Sequence, residues 1–195
     1  MDHTPTRRPL PVGIQLVPSL ADDYVNDMGI SGEMDFCGID PGLGTTGYAI
    51  VRMTGNRPRI LDAGVFRPTD SLPLAERLVQ LDEDFTAILE QYHPQMVGVE
   101  ELYSHYKHPR TAIQMGHARG VLLSAAGRVR VPVRGMSATH IKRFLTGNGR
   151  ASKRQMQAAI QSTFALSEPP EPNDVADAIA IAFCCAAEAA AEISP

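Results

Sequence analysis

From Asp35 onward the apolar positions fall into regular runs, first at the two-residue period of strands and then in alternation with the longer period of helices. Phe36–Asp40 is a short apolar run that closes on an acid, Pro41-Gly42 signals a turn, and Tyr48–Arg52 predicts a second strand. Arg59–Phe66 predicts a third, so the three make an antiparallel meander. Leu74, Leu78, Leu81, Phe85, Ile88 and Tyr92 step by three or four residues, as one buried face of a helix requires. His93-Pro94 breaks that helix, and Met96–Val99 reads as a buried strand. A second helix is expected over Thr111–Ala126, a strand over Val131–Arg134, and further helices over Ser137–Leu145 and Ser152–Phe164. The proline-rich link Glu168–Pro172 leads into a long Ala-rich helix from Asp174 to Glu192. Strands followed by alternating helices and strands indicate an α/β domain over residues 35–192, a mixed central sheet flanked by helices. Residues 1–34 carry four prolines and no sustained period, and are expected to form a flexible N-terminal extension.

Composition adds little to this picture until charge is placed along the chain. The hydrophobic fraction of 44% and the charged fraction of 21% are those of a soluble globular protein. No apolar stretch reaches the roughly 18 residues of a membrane span, and the first 34 residues lack the basic-then-apolar order of a secretory signal. Cys37, Cys184 and Cys185 show no CxxC spacing and cannot build a disulfide framework, so a reducing cytoplasm is the expected location. The net charge of −4 argues against a polyanion as partner, but its distribution does not. Between Leu102 and Ser167 stand eleven Lys or Arg and no Asp or Glu. A chain with one basic side can bind nucleic acid despite an acidic average, although a merely solvated basic face has the same composition.

Three places hold acids that are hard to explain by folding alone. Asp40 ends the first strand in Gly38-Ile39-Asp40-Pro41-Gly42, and Glu100 ends a later one in Val97-Gly98-Val99-Glu100. Asp174 and Asp177 stand three apart at a helix start and so share a face. Side chains leaving strand ends and a helix start can converge at one edge of an α/β sheet. Four clustered carboxylates would raise one another's pKa unless cations neutralised them. Two divalent ions balance four ionised acids, and all-oxygen donors select Mg²⁺ or Mn²⁺ over zinc. Two such ions about 3.5–4 Å apart suit phosphodiester hydrolysis. Each acid also has a plainer reading: Asp40 as a cap of the following turn, Asp174 and Asp177 as partners of a helix dipole. Glu100 stands beside Glu101, and successive strand residues face opposite ways, so only one of them can join Asp40. The position in the run favours Glu100.

The same residues carry a resemblance. Gly38-Ile39-Asp40-Pro41-Gly42 with Thr46-Gly47-Tyr48-Ala49, then Val99-Glu100 followed by Tyr103, then Gly116-His117-Ala118-Arg119-Gly120, and lastly Asn173-Asp174-Val175-Ala176-Asp177-Ala178-Ile179-Ala180-Ile181-Ala182 resemble, in order, the successive motifs of the RuvC family of Holliday-junction endonucleases. The likeness runs from about Phe36 to Ala187 without a large insertion. It implies a ribonuclease-H-like fold and a homodimer that makes paired symmetrical nicks across four-way junction DNA. It implies that Asp40, Glu100, Asp174 and Asp177 are catalytic, metal-binding acids holding two Mg²⁺ per subunit, with Mn²⁺ as the alternative. By the same likeness Lys142 and Lys153 lie near the scissile phosphate, and Tyr103 stacks on bases near the junction centre. A branch-migration helicase complex of the RuvA and RuvB type is the implied partner.

Some readings rest on residue chemistry beside that likeness. Lysines near a metal cluster can steer a phosphate backbone and stabilise developing charge; generic solvated lysine is the plainer alternative. Arg143 and Arg154 are expected to add phosphate contacts. Tyr106 competes with Tyr103 for the stacking role. Ala112, Gly116, Gly120 and Ser124 recur every fourth residue, a stripe open to close approach by another backbone or by the chain's own sheet. Two rivals differ in kind. Asp40 followed by Gly44-Thr45-Thr46-Gly47 also fits the phosphate loop of an actin-like ATPase, which needs a second domain and a second loop absent from 195 residues. A non-catalytic junction-binding protein of the same fold would have no use for four intact acids.

Overall fold

A computed structural model describes residues 32–102 and 109–193. Its elements are β1 (Glu33–Asp40), β2 (Thr46–Thr54), β3 (Arg57–Phe66), α1 (Leu74–Tyr92), β4 (Met96–Glu100), α2 (Pro109–Arg128), β5 (Val133–Met136), α3 (Ala138–Thr146), α4 (Lys153–Thr163) and α5 (Asn173–Ile193). The strands form one sheet in the order β3-β2-β1-β4-β5. β1, β2 and β3 are the antiparallel meander, while β4 and β5 run parallel to β1.

Alternation along β1 sorts two cores onto the two faces. Cys37 and Ile39, with Tyr48 and Ile50 of β2 and Val97 and Val99 of β4, pack beneath α1 and α2. Phe36, with Ala49, Val51 and Met53 of β2, packs beneath α3, α4 and α5. Period two then carries Gly38 and Asp40 onto the α5 face with Phe36. Parallel pairing aligns Gly38 with Gly98 and Ile39 with Val99, so Glu100 ends β4 beside Asp40 and points the same way.

Close packing of α5 depends on the sheet's glycines. A Cβ at Gly38 would collide with the backbone of Ala178 and Ala182, and one at Gly47 would collide with the carbonyl of Asp174. A Cβ at Gly98 would press on Cys185 and Ile181. The Ala-rich face of α5 therefore lies almost on the strands, with its first turn held against the start of β2. Asp174 and Asp177 ride on that turn.

Several boundaries differ from expectation by a few residues, two of them for plain local reasons. β1 begins at Glu33 rather than Phe36, because Arg52 of β2 pairs with Glu33 at 2.8 Å and Asp35 at 2.7 Å across the strands. A polar cross-strand clasp of this kind is invisible to an apolar-run reading. β5 begins at Val133 rather than Val131, because the Val131 amide is used to close α2, donating to the Ala126 carbonyl at 3.1 Å. Among the described residues no helix is long and apolar enough to cross a membrane.

Candidate active site

Four half-buried carboxylates meet where β1 and β4 end beside the first turn of α5. Asp40 and Glu100 lie within hydrogen-bonding reach of each other, and Asp40 also lies in the field of Asp177 and Asp174. Burial, then the charges of Glu100, Asp177 and Asp174, push the Asp40 carboxyl up to about 8. Glu100 is raised by burial and by Asp177, and Asp177 by burial and by Asp174. Lys142 and Lys153 work in the opposite direction: Lys142 favours the ionised forms of Glu100 and Asp177, and Lys153 that of Asp177. Glu101 is exposed outside the strand, with its carboxylate over Gly135. It takes no part in the cluster.

The lysines are placed by well-formed helix starts. Ser137 caps α3 by accepting the His140 amide, which sets Lys142 one turn in on the inner side. Ser152 and Gln155 form a reciprocal capping box, which puts Lys153 at the first residue of α4. Gly147, at φ 71°, closes α3, and Thr146 and Asn148 tie the turn with side-chain hydrogen bonds, so Gly147-Asn148-Gly149 is a braced turn rather than a loose loop. Between these helices and α5 opens a pocket of about 120 Å³, lined by Glu100, Lys142, Lys153, Asp177 and apolar neighbours. Arg143 and Arg154 are exposed beside it.

Not all of the basic stretch faces this pocket. Arg128 is paired with Asp82, and Arg134 with Glu188 and Glu192. Lys142, Arg143, Arg150, Lys153 and Arg154 make no ion pair among the described residues, so five unpaired cations gather on α3, its turn and α4. Arg119 has a role that the sequence reading missed: its Nε donates to the Glu100 carbonyl at 3.3 Å, bracing the end of β4 from α2. On the outer side of α2, Gly116 and Gly120 face open space and Ser124 is exposed. Tyr103 and Tyr106 lie outside the described residues.

The donor set suits hard dications. It offers only carboxylate oxygens, and burial together with the neighbouring like charges drives one of them to hold a proton near neutrality. That strain has a measurable sign. Asp40 binds a proton more tightly folded than unfolded, so between about 4 and about 8 the metal-free protein loses stability as pH rises. Thermal melts in chelator should therefore fall across that window, and Asp40→Asn should flatten the slope. Equal slopes in both proteins would show that Asp40 does not feel the cluster.

Similarity to known proteins identifies the family. The family model described as crossover junction endodeoxyribonuclease RuvC matches residues 36–185. The chain belongs to the RuvC family. A RuvC from Rhodopirellula baltica is 46% identical over 147 residues, which cover 75% of this chain and 83% of that one. The structure of Thermus thermophilus RuvC superposes with a TM-score of 0.76 at 31% identity, over 82% of this chain and 97% of that one. The same RuvC in complex with a Holliday junction substrate gives a TM-score of 0.77, again at 31% identity, over 82% and 96%. The fold is thus the ribonuclease-H-like α/β fold of RuvC, with its mixed five-stranded sheet.

Proposed function

We propose that the carboxylate cluster is the catalytic centre of a structure-selective endonuclease that resolves four-way DNA junctions by paired symmetrical nicks. RuvC enzymes are metal-dependent crossover junction endodeoxyribonucleases, and this chain matches them along most of its length. The single observation that carries the residue assignment is the meeting of Asp40, Glu100, Asp174 and Asp177 beside Lys142 and Lys153. Two Mg²⁺, or Mn²⁺ in their place, would be held by the four carboxylates and would supply Lewis acidity for hydrolysis.

The chain's own groups do the rest. In the reaction, water adds to phosphorus, one P–O bond breaks and the departing oxygen takes up a proton. Lys142 and Lys153, which both line the pocket, hold the phosphate beside the acids and offset charge that grows during bond breaking. Arg143 and Arg154 extend that positive surface along the DNA backbone. Arg119 keeps Glu100 in register with Asp40 through its backbone carbonyl. Tyr103 is assigned to base stacking near the junction centre by likeness to the family. The open outer side of α2 favours a two-fold homodimer, which suits a two-fold substrate that needs two nicks. A helicase complex of the RuvA and RuvB type is the further partner on this reading.

The decisive comparison is cleavage of a mobile four-way junction, a fork and a linear duplex, side by side in Mg²⁺. Preferential paired nicking of the junction is expected; equal cleavage of all three would redirect the assignment to another nucleic-acid target. Lys153→Ala should slow nicking by about 10–100-fold through loss of transition-state charge stabilisation. Its metal requirement should stay as in wild type. If metal dependence shifts and rate does not, Lys153 belongs to the electrostatics of Asp177 alone.

A further inference from the structure

α3 and α5 meet a second time, well along α5 from the carboxylate centre. Cys184 and Glu188 stand one helical turn apart on α5, and His140 of α3 lies against them. One ligand atom from each falls within 4.8 Å of the other two. His140 Nε2 is already 2.6 Å from Glu188 Oε1. Spacing by four on a helix is a natural way to aim two ligands at one ion, with the third supplied by a neighbouring element.

We propose that His140, Cys184 and Glu188 form a second metal site, one that takes Zn²⁺ and pins α3 to α5. The donors are a sulfur, an imidazole nitrogen and a carboxylate oxygen, a set that selects zinc or cobalt and rejects Mg²⁺. Bonds of about 2.0–2.3 Å place tetrahedral ligands roughly 3.3–3.8 Å apart. Closing from within 4.8 Å to that spacing takes side-chain adjustment by His140 and Glu188, and three protein ligands leave the fourth position to water.

Charge around the site is already balanced for such an ion. The Cys184 thiolate, Glu188 and Glu192 are three negative charges, and a dication with Arg134 supplies three positive ones. Arg134 reaches Glu188 at 3.4 Å and Glu192 at 2.6 Å, so it orients the ligand carboxylate from behind. Without an ion, Cys184 is a neutral buried thiol whose pKa is raised by burial and by Glu188. On binding, its proton leaves for solvent as the sulfur takes the metal. Cys185 is turned instead toward Gly98 of the sheet. Because α3 also carries Lys142, an ion here would stiffen one wall of the phosphate pocket.

The test is titration of Co²⁺ into the full chain in a non-chelating phosphine reductant. A thiolate-to-cobalt absorption in the near ultraviolet is expected, removed when Zn²⁺ is added. It should vanish in Cys184→Ser and His140→Ala, yet persist in Cys185→Ser and Asp40→Asn, since carboxylates give no such band. His140 is exposed, so its variant should fold, and its Zn²⁺ affinity should be lower by at least about tenfold. No thiolate band in wild type, or one that survives His140→Ala, would overturn the proposal and leave an ion pair only. The nuclease assignment is independent of either result.

Discussion

A chain carrying Asp40→Asn is expected to nick a mobile four-way junction at least roughly a thousandfold more slowly than wild type, the scale of losing a principal electrostatic element of a reaction centre. Its affinity for the junction should be unchanged, because the unpaired cations beside the pocket sit on α3 and α4 and not on β1. Asp40 occupies the middle of the cluster: it lies within reach of Glu100 and feels the charges of Glu100, Asp177 and Asp174. An amide there keeps the shape but supplies one charge fewer to a dication. The same change should raise the melting temperature of the metal-free protein, since it removes the carboxyl held highest above its ordinary range. Lower activity with higher stability is the signature of a group kept for chemistry. Parallel loss of nicking and binding would instead mark Asp40 as part of the fold.

Gly38→Ala should cost about 3 kcal/mol in urea unfolding, at the upper end of ordinary overpacking, and take most of the nicking with it. The added methyl would meet the Ala178 carbonyl and the Ala182 amide, both backbone atoms in the interior of α5. Neither can rotate away, so the helix must move as a unit. Asp177 immediately precedes Ala178, so any such movement draws a carboxylate out of the cluster. Gly44→Ala is the matched control, because a Cβ at Gly44 meets nothing within 4 Å. Similar losses in both variants would mean that flexibility of the β1–β2 region matters and the approach of α5 does not.

These two glycine contexts also show what could be read from the chain in advance. Strand and helix periods located every element of the sheet and its flanking helices, because burial on two faces leaves a plain mark on apolar spacing. The acids stood out because each ended a strand or opened a helix. The sequence carried a further signal that went unused: Gly38-Ile39-Asp40 and Gly98-Val99-Glu100 have the same spacing. A residue two before an acid shares its face, so each glycine marks where α5 must lie close and each acid marks what it must reach. Arg119 could not be found that way, since its partner is a backbone carbonyl, which leaves no mark on residue type. Nor could the fate of Arg128 and Arg134, whose charges are taken by Asp82, Glu188 and Glu192 from distant parts of the chain. The basic run in the sequence is longer than the basic surface in the fold.

Four acids crowded enough to need dications should show that need most directly in thermal unfolding at pH 8 with and without millimolar Mn²⁺. Wild type should melt several degrees higher with the ion, whereas Asp40→Asn and Asp177→Asn should show little of that rise. An equal rise in all three proteins, or none in wild type, would contradict a shared metal centre at these residues.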